Sequence, residues 1–329
     1  MHEITQELAK AVSDAAPGNA AIRTRHTQER SGASTADEIH VRIRGETTAA
    51  KVRQAVENVA IRHALMVELE KPRGNRIGIV LRNRGTVTQR IEIEELPRQE
   101  TASAGNSPPG KGRLAILLDD LGSDRAAADA IFALHVPLTI SVLPYHAHSN
   151  EIAQEARQHG CEVMLHLPME SVANQSPEQQ ELRSGLSQAQ VKAAVEKMLD
   201  DVPEADGVNN HQGSQATADA ALMQTLMRVL KDEGVFYVDS RTTASTVAYE
   251  TARREGVRAG FRNVPFLDDD QDKAAIKRQL RTALQGAKQK GEAIAIGHPH
   301  AATLEVLREM LPEAKNDGVQ LVFVSELVR

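Results

Sequence analysis

Aromatic residues are scarce in this chain of 329 residues: they make up 2% of it, and tryptophan is absent. A broad platform of rings for stacking sugars or nucleobases is therefore hard to build. The core has to be assembled from Ala, Val, Leu, Ile and Met instead. No stretch approaches the roughly 18 uninterrupted apolar residues of a membrane-spanning helix, so the sequence predicts no membrane span.

Several other features are missing. The single cysteine, Cys161, excludes an internal disulfide but leaves the redox compartment open. Residues 1–8 are polar and acidic, whereas a signal peptide needs a basic start and an apolar run, so the chain as written is expected to stay in the cytosol. No G-x-G-x-x-G or Walker A sequence and no G-x-S-x-G elbow is present, which argues against a nucleotide site and a serine hydrolase of those kinds.

The charge is distributed unevenly. Through Arg113 the chain carries 18 Lys and Arg against 14 Asp and Glu, and beyond it 21 against 31, for an overall formal charge of −6. Neither part is basic enough to indicate a nucleic-acid partner, since such proteins concentrate basic side chains on one face. The asymmetry favours two separately built parts.

Composition and periodicity divide the chain into four segments. These are a flexible or short-helical N-terminus over 1–36, a small α+β domain over 37–99, a linker over 100–112 and a β/α domain over 113–329. In the first segment we expect a helix over 4–15 and a polar linker over 18–36. In the second, an alternating strand over 39–44, a helix from Thr47 or Thr48 to about Met66, and a hairpin are expected.

The last segment alternates strand-like and helical stretches. Eight apolar runs begin near Leu114, Leu138, Glu162, Gly207, Val235, Phe261, Ala293 and Val319. Strands that alternate with helices predict a parallel sheet, because parallel neighbours need crossover connections. The count and the length favour an α/β fold in which seven or eight parallel strands form a closed or nearly closed (β/α) barrel.

Polar residues follow five of these strands, and in such a barrel the functional groups gather at the carboxyl ends of the strands. The residues that we single out are Asp119, Asp120, His166, Glu170, Asn210, His211, Asp239, Arg241 and His298. An aspartate in such a place often only caps the next helix, and for Asp239 that explanation is as good as a functional one.

Two imidazoles and one carboxylate are a common ligand set for catalytic zinc, with one position left for water. A metal there lowers the pKa of the water and polarises a carbonyl. In an adjacent Asp pair, one carboxylate can bind the metal while the other takes the proton of the water. Together with two histidines as ligands and a third as acid, this set predicts metal-assisted hydrolysis of an amide or ester.

At this point the chain resembles a known family. Five segments carry the resemblance: Leu-Leu-Asp-Asp-Leu-Gly (117–122), His-Leu-Pro-Met-Glu (166–170), Val-Asn-Asn-His-Gln-Gly-Ser (208–214), Val-Asp-Ser-Arg-Thr-Thr (238–243) and Ile-Gly-His-Pro-His (296–300). Over about 112–329 the chain is similar to the divergent polysaccharide deacetylases, distant relatives of the NodB-type carbohydrate deacetylases. The resemblance implies removal of acetyl groups from a glycan, such as a cell-wall sugar, and a periplasmic or extracellular location.

Roles carry over from the NodB-type enzymes position by position. Their paired aspartates match Asp119, as general base, and Asp120, as metal ligand. The first His of their H-x-x-x-H motif matches His166. The His that protonates the leaving amine matches His298. The resemblance implies one divalent metal, zinc first of all, although cobalt, nickel or iron suit the same ligands.

The sequence also departs from that pattern. Glu170 stands where the second His of H-x-x-x-H is expected, so either Glu170 or His211 completes the metal shell, and we favour His211. The arginine–proline motif of the main family is absent. Asp239 and Arg241 are expected to orient the base or the substrate, and Asn210 and Glu170 are further candidates for such a role.

These departures leave two alternatives to a glycan deacetylase. One is an inactive barrel that serves as a glycan-binding or envelope scaffold protein. The other is a metal-dependent hydrolase of a non-sugar amide, which would use the same site residues.

Overall fold

The computed structural model describes residues 2–16, 20–25, 36–43, 49–71, 76–95, 112–173, 178, 180–314 and 318–329. The chain divides into two units, Met1–Asn106 and Ser107–Arg329. Within the described ranges, none of the helices combines the length and the apolar character that crossing a membrane requires.

The first unit is a small α+β domain. Its elements are α1 (His2–Ala15), β1 (Ala20–Arg25), β2 (Asp37–Ile43), α2 (Ala49–Arg62), β3 (Met66–Leu69), β4 (Arg76–Asn83) and β5 (Thr86–Glu95). The strands form one sheet in the order β1-β2-β5-β4-β3, with β2 and β5 parallel and the other neighbours antiparallel. Alternate residues of β2 are buried, as the sequence pattern predicts, and they share one apolar cluster with both helices.

The structure corrects two expectations about this unit. The segment 18–36, predicted as a linker, contains β1, which pairs along β2 from Ala20 opposite Ile43 to Arg25 opposite Glu38. Ile22 is the only large apolar residue of β1, so its composition did not reveal a strand. The helix predicted to reach Met66 ends at Arg62, because Ala64 has a φ of 51° and turns the chain into β3. The predicted start of this helix and residues 100–111 of the predicted linker lie outside the described residues.

The second unit is built from parallel strands and helices. Its elements are β6 (Gly112–Leu121), α3 (Arg125–Phe132), β7 (Thr139–Val142), α4 (Ser149–Gln158), β8 (Glu162–Met169), α5 (Gln188–Asp201), β9 (Gly207–Gln212), α6 (Ala220–Asp232), β10 (Phe236–Asp239), α7 (Ala248–Glu255), β11 (Ala259–Phe261), α8 (Lys273–Lys290), β12 (Glu292–Gly297), α9 (Ala301–Ala314) and β13 (Val319–Val322), with short 3₁₀ turns at Ala216–Ala218 and Val324–Glu326.

These strands form a nearly closed barrel. Seven of them follow one another in the order β11-β10-β9-β8-β7-β6-β12, and β13 pairs with Gly112–Ala115 of β6. Between β11 and β12 the barrel is bridged by the segment after β11, where the N–H groups of Asn263 and Leu267 donate to the carbonyls of Ile294 and Ile296. The predicted α/β barrel is confirmed.

Successive residues of each strand point alternately to the interior of the barrel and to the helices around it. In β6, Ala115 and Leu117 belong to the interior apolar cluster, whereas Leu114, Ile116 and Leu118 belong to the cluster under the helices. The interior layer continues in β8, β10 and β12, with residues such as Met164, Phe236, Val238, Ile294 and Ile296. This alternation decides which side chains reach the mouth of the barrel.

Candidate active site

The alternation brings polar side chains together above the interior apolar layer. Counting in steps of two from the interior residues of each strand leads to Asp119 on β6, His166 on β8, Ser240 after β10 and His298 after β12. In β9, where Val208 faces the helices, the same count leads to Asn209 and His211. All of these lie at the carboxyl ends of the strands, where barrel enzymes place their functional groups.

Asp120 joins this group by a different route. Strand alternation would point it away from Asp119, but its φ is 59°, and the pairing of β6 with β7 shifts register between Leu118 and Leu121. The left-handed conformation is uncommon for a residue other than glycine, and aspartate tolerates it better than most. A positive φ also occurs at Gln212, the last residue of β9, and in the loops after β7 and β10, at Tyr145 and Arg241. Backbone strain of this kind collects at functional sites.

Three side-chain atoms of the kinds that bind metal ions converge at the mouth of the barrel. They belong to Asp120, His166 and His211, which we call the triad. Asp120 Oδ1 lies 3.0 Å from His166 Nε2 and 2.9 Å from His211 Nδ1, and the two nitrogens are 3.2 Å apart. His166 is buried, His211 is partly buried, and the Asp120 side chain is 38% exposed. The triad is thus closed from below and open to solvent on the Asp120 side.

The donor set fits a divalent metal ion. Three ligands of a tetrahedral zinc ion, at bond lengths of about 2.0–2.1 Å, lie roughly 3.3 Å from one another, close to the separations seen here. If both nitrogens at the triad carried protons, two N–H groups would face each other at 3.2 Å. A cation held by Asp120, His166 and His211 satisfies all three lone pairs at once, and the exposed side of Asp120 leaves a position for water.

Asn209 sets the tautomer of His166. Its Nδ2 donates to both carboxylate oxygens of Asp119, at 2.9 and 3.1 Å, so its Oδ1 must face the other way. That oxygen accepts from His166 Nδ1 at 3.0 Å and from the hydroxyl of Ser141. The proton of the His166 ring is therefore on Nδ1, and Nε2 presents its lone pair to the triad. Partners of this kind orient metal-binding histidines and raise their basicity.

Asp119 is placed to act as a base. It is 2% exposed, and its Oδ2 lies 3.7 Å from His166 Nε2, beside the triad rather than in it. Burial disfavours the charged form of Asp119 and raises its pKa, although the charges of His166 and His298 act in the opposite direction. The raised pKa makes this carboxylate a better proton acceptor. Burial raises the pKa of Asp120 as well, but its contacts with the imidazoles of His166 and His211 in the metal-free structure outweigh burial and hold this pKa well below its usual range.

His298 faces the triad from the opposite wall. Its Nε2 lies 3.9 Å from Asp120 Oδ2, and its Nδ1 donates to Asp268 Oδ1 at 2.9 Å. Asp268 is buried, and its Oδ2 accepts from the His298 backbone N–H and from Thr303 Oγ1, which fixes the carboxylate. Burial alone would lower the pKa of His298, but Asp268 and the other nearby carboxylates raise it to about 9. The ring is then protonated at neutral pH.

Four of the predicted site residues lie away from the triad. Asp239 faces the helices and accepts hydrogen bonds from the Arg241 N–H and from the side chain of Thr246. Asn210 also faces outward, where its Oδ1 accepts from the Tyr237 hydroxyl and the Ser240 N–H. Both residues hold the loop after β10, one layer behind the mouth.

Glu170 is likewise separate from the group of Asp120, His166 and His211. Its Oε2 accepts from the backbone N–H of Ser184, at 3.0 Å, and its backbone carbonyl accepts from Gln215 and Ala216. The structure thus brings His211, and not Glu170, to Asp120 and His166. Arg241 stacks on Phe261, with its guanidinium carbon 3.6 Å from the centre of the ring.

Two residues of the site had no predicted role. Asn209 falls inside a singled-out segment, and the strand alternation that separates it from Asn210 could have identified it. Asp268 is the first of three consecutive aspartates, and the sequence offers no signal that distinguishes it from its neighbours. Only the path of the chain after β11, along β12, brings Asp268 under His298.

Comparison with known proteins identifies a family and two relatives that this chain resembles. Residues 116–328 match the family model described as "Divergent polysaccharide deacetylase". An "Uncharacterized protein" of Haemophilus influenzae is 38% identical over 219 residues, which are 67% of this chain and 78% of that protein. The "Uncharacterized protein YibQ" of Escherichia coli is 36% identical over 223 residues, covering 68% of this chain and 69% of that protein.

Among solved structures, the "uncharacterized protein ATU2773" of Agrobacterium tumefaciens is similar to this chain with a TM-score of 0.63 and 22% identity. The similarity covers 68% of this chain and 92% of that one, and it concerns the fold. The family match extends over most of the barrel and includes the residues of the site that were predicted to hold the metal or move protons, which are Asp119, Asp120, His166, His211 and His298. The chain therefore belongs to the divergent polysaccharide deacetylase family.

Proposed function

We propose that this protein is a metal-dependent hydrolase that removes acetyl groups from a carbohydrate. The observation that carries the proposal is the convergence of Asp120 Oδ1, His166 Nε2 and His211 Nδ1 within 3.2 Å of one another. A free carboxylate, Asp119, and a protonated imidazole, His298, flank that point. Membership of a deacetylase family supports acetyl groups on a sugar as the substrate.

A divalent cation held by the triad, zinc by the type of its ligands, supplies polarisation of the acetyl carbonyl and a more acidic water. The protein supplies the proton transfers. Asp119 accepts a proton from the attacking water as its oxygen bonds to the carbonyl carbon. His298 donates a proton from Nε2 to the leaving nitrogen or oxygen as the bond to the sugar breaks. The products are acetate and a free amine or hydroxyl.

Asn209 and Asp268 hold these two groups in place. Asn209 fixes the Asp119 carboxylate and the His166 ring with one amide, so base and ligand keep a constant separation. Asp268 fixes the ring of His298 and stabilises its protonated form. General acid–base hydrolysis requires a proton acceptor on one side of the bound carbonyl and a proton donor on the other. Asp119 and His298 are proposed to take these two roles.

Acetate release from the zinc-loaded full chain tests the proposal. The substrates are N-acetylated chitooligomers, O-acetylated xylan, peptidoglycan fragments and an acetylated amide that contains no sugar. We expect release from at least one acetylated glycan, and a decrease of about 10²–10⁴-fold in Asp119→Asn at unchanged zinc content.

Each alternative gives its own result. Glycan binding without acetate release, equal in wild type and Asp119→Asn, would identify an inactive binding protein. Release from the non-sugar amide alone would reject a carbohydrate as the substrate.

A further inference from the structure

The two histidines of the triad differ in what holds their rings. His166 directs Nε2 to the triad, and its Nδ1 donates to the amide oxygen of Asn209. His211 directs Nδ1 to the triad, and its Nε2 lies 3.3 Å from the side-chain nitrogen of Gln212. The proposed hydrolysis assigns a role to Asn209 but none to Gln212.

The backbone brings the neighbouring side chains of His211 and Gln212 together. Gln212 is the last residue of β9 and lies opposite Met169 of β8. Regular strand alternation would direct its side chain away from that of His211. Gln212 instead has a φ of 53°, a left-handed conformation that is uncommon for a residue other than glycine. Because of this departure from the extended conformation, the amide reaches the ring of the preceding residue.

The left-handed residue is fixed by its neighbours. The backbone carbonyl of Gln212 accepts from Asn210 Nδ2 at 2.8 Å and from Thr242 Oγ1 at 2.7 Å. Asn210 is itself held by the Tyr237 hydroxyl and the Ser240 N–H. Backbone strain of this kind persists only where the surrounding structure holds it, and it collects at functional sites. The conformation of Gln212 is therefore built into the mouth of the barrel.

Metal binding changes what His211 requires of Gln212. A neutral imidazole has one ring proton, so one nitrogen donates and the other accepts. Without a metal ion, His211 Nδ1 donates to Asp120 Oδ1 at 2.9 Å, and Nε2 accepts from the amide N–H of Gln212. A cation at Nδ1 reverses this assignment, because the lone pair of Nδ1 then binds the metal and the ring proton is on Nε2. That proton needs an acceptor.

The amide of Gln212 can meet both requirements. Its two ends are similar in size, and a half-turn about the last side-chain bond exchanges the NH₂ group for the oxygen. With its nitrogen toward His211, the amide matches the ring of the metal-free protein. With its oxygen toward His211, it matches the ring that binds a metal. A carboxylate at this place would match only the second state, and an apolar side chain would match neither.

We infer that Gln212 is a positioning residue of the metal site, which accepts a hydrogen bond from His211 Nε2–H when a cation is bound and so directs Nδ1 to that cation. The inference rests on the proposed function. It means that the two imidazoles are held by opposite ring nitrogens, His166 by Asn209 and His211 by Gln212. Partners of this kind fix the orientation of metal-binding histidines and raise their basicity.

Zinc affinity of the full chain, measured by competition with a chelator, tests the inference in two variants of similar size. Gln212→Met removes both ends of the amide, and we expect zinc affinity to fall about 10–100-fold. Gln212→Glu keeps an acceptor, so its zinc affinity should be at least that of wild type. Gln215→Met is the matched control, because Gln215 is exposed and its side chain makes no capping hydrogen bond. This control should bind zinc as wild type does.

A spectroscopic measurement separates the hydrogen bond from the charge that Gln212→Glu adds. In protein with ¹⁵N-labelled histidine and excess zinc, the Nε2–H proton of His211 should exchange slowly with solvent in wild type and Gln212→Glu. In Gln212→Met it should exchange rapidly. Slow exchange or unchanged zinc affinity in Gln212→Met would overturn the inference. Equal losses of affinity in Gln212→Met and Gln212→Glu would also overturn it, since the glutamine would then only fill space.

Acetate release is measured in the same samples, so that the inference and the proposed function fail separately. Acetate release with equal zinc affinity in wild type and Gln212→Met leaves the hydrolase and rejects the role of Gln212. A lower zinc affinity in Gln212→Met, without acetate release from any substrate, supports the role of Gln212 and rejects the hydrolase. Wild-type protein that binds no zinc rejects both.

Discussion

Asn209 Nδ2 donates to both carboxylate oxygens of Asp119, at 2.9 and 3.1 Å, while the oxygen of the same amide accepts from His166. One buried side chain therefore links the proposed base to a proposed metal ligand. Because an amide has a donor end and an acceptor end, the contact with the carboxylate decides which end faces the imidazole. The protonation of His166 follows from that choice.

Replacing Asn209 should weaken metal binding without removing a ligand. Asn209→Leu keeps the volume but leaves Asp119 and His166 without their buried partner. We expect zinc affinity to fall about 10–100-fold and the free energy of unfolding of the metal-free protein to fall by about 3 kcal/mol. Competition with a zinc chelator and denaturant unfolding measure the two effects.

Ser240→Ala is the control for that experiment, because it removes one hydrogen bond from the same amide and leaves the contacts of Asn209 with Asp119 and His166 intact. Its zinc affinity should stay within a few-fold of wild type. Equal losses in Ser240→Ala and Asn209→Leu would show that the amide does not orient the ligand.

The pKa of His298 should depend on Asp268. In the metal-free protein it is raised to about 9, so the ring keeps its proton through neutral pH and loses it as the pH rises through 9. Asp268→Asn removes the carboxylate, and burial, which favours the neutral ring, then lowers the pKa. Proton NMR of the ring C–H across pH, assigned with His298→Gln, should show a lower midpoint in Asp268→Asn. A wild-type midpoint near the ordinary 6.5 of histidine would contradict this account.

The N-terminal helix should contribute to the stability of the small domain. Leu8 of α1 is completely buried in the same apolar cluster as Ile39 and Val52. Leu8→Ala should therefore destabilise that domain by about 2–5 kcal/mol. Hydrogen exchange followed by mass spectrometry should become faster in peptides of β2 and α2 and remain unchanged in the barrel.

Ile61→Ala is the control for that substitution, because Ile61 is 72% exposed and its truncation should change stability by no more than about 0.5 kcal/mol. Unchanged exchange in β2 of Leu8→Ala would show that α1 does not stabilise the sheet.

Much of the barrel could be predicted from the sequence because its signals are local. Apolar runs such as 114–118 and 163–165 are typical of strands buried on both faces, and the helices between them require parallel pairing. The strands of the small domain were harder to predict from the sequence. In β1, Ile22 alone carries the apolar signal, and pairing with β2 provides the rest of the stabilisation.

The site was predictable to the extent that it follows strand alternation. Interior positions of the strands hold Asp119, His166, His211 and His298, and exterior positions hold Asn210 and Asp239. This difference can be predicted from the sequence once the strands are assigned. The position of the Asp120 side chain could not be predicted in this way, because Asp120 itself has a left-handed backbone conformation that breaks the alternation. Asp268 depends on tertiary structure alone.

The most direct test of the account is the zinc content per chain in wild type, His211→Ala and Glu170→Gln, purified in parallel, loaded with zinc and dialysed before mass spectrometry. The geometry predicts about one zinc per chain in wild type and Glu170→Gln and none in His211→Ala, since His211 contacts Asp120 and His166 whereas Glu170 contacts the Ser184 N–H. Circular dichroism checks that each variant is folded. Wild-type protein that holds no zinc, or a Glu170→Gln variant that loses it while His211→Ala keeps it, would contradict the proposed metal centre.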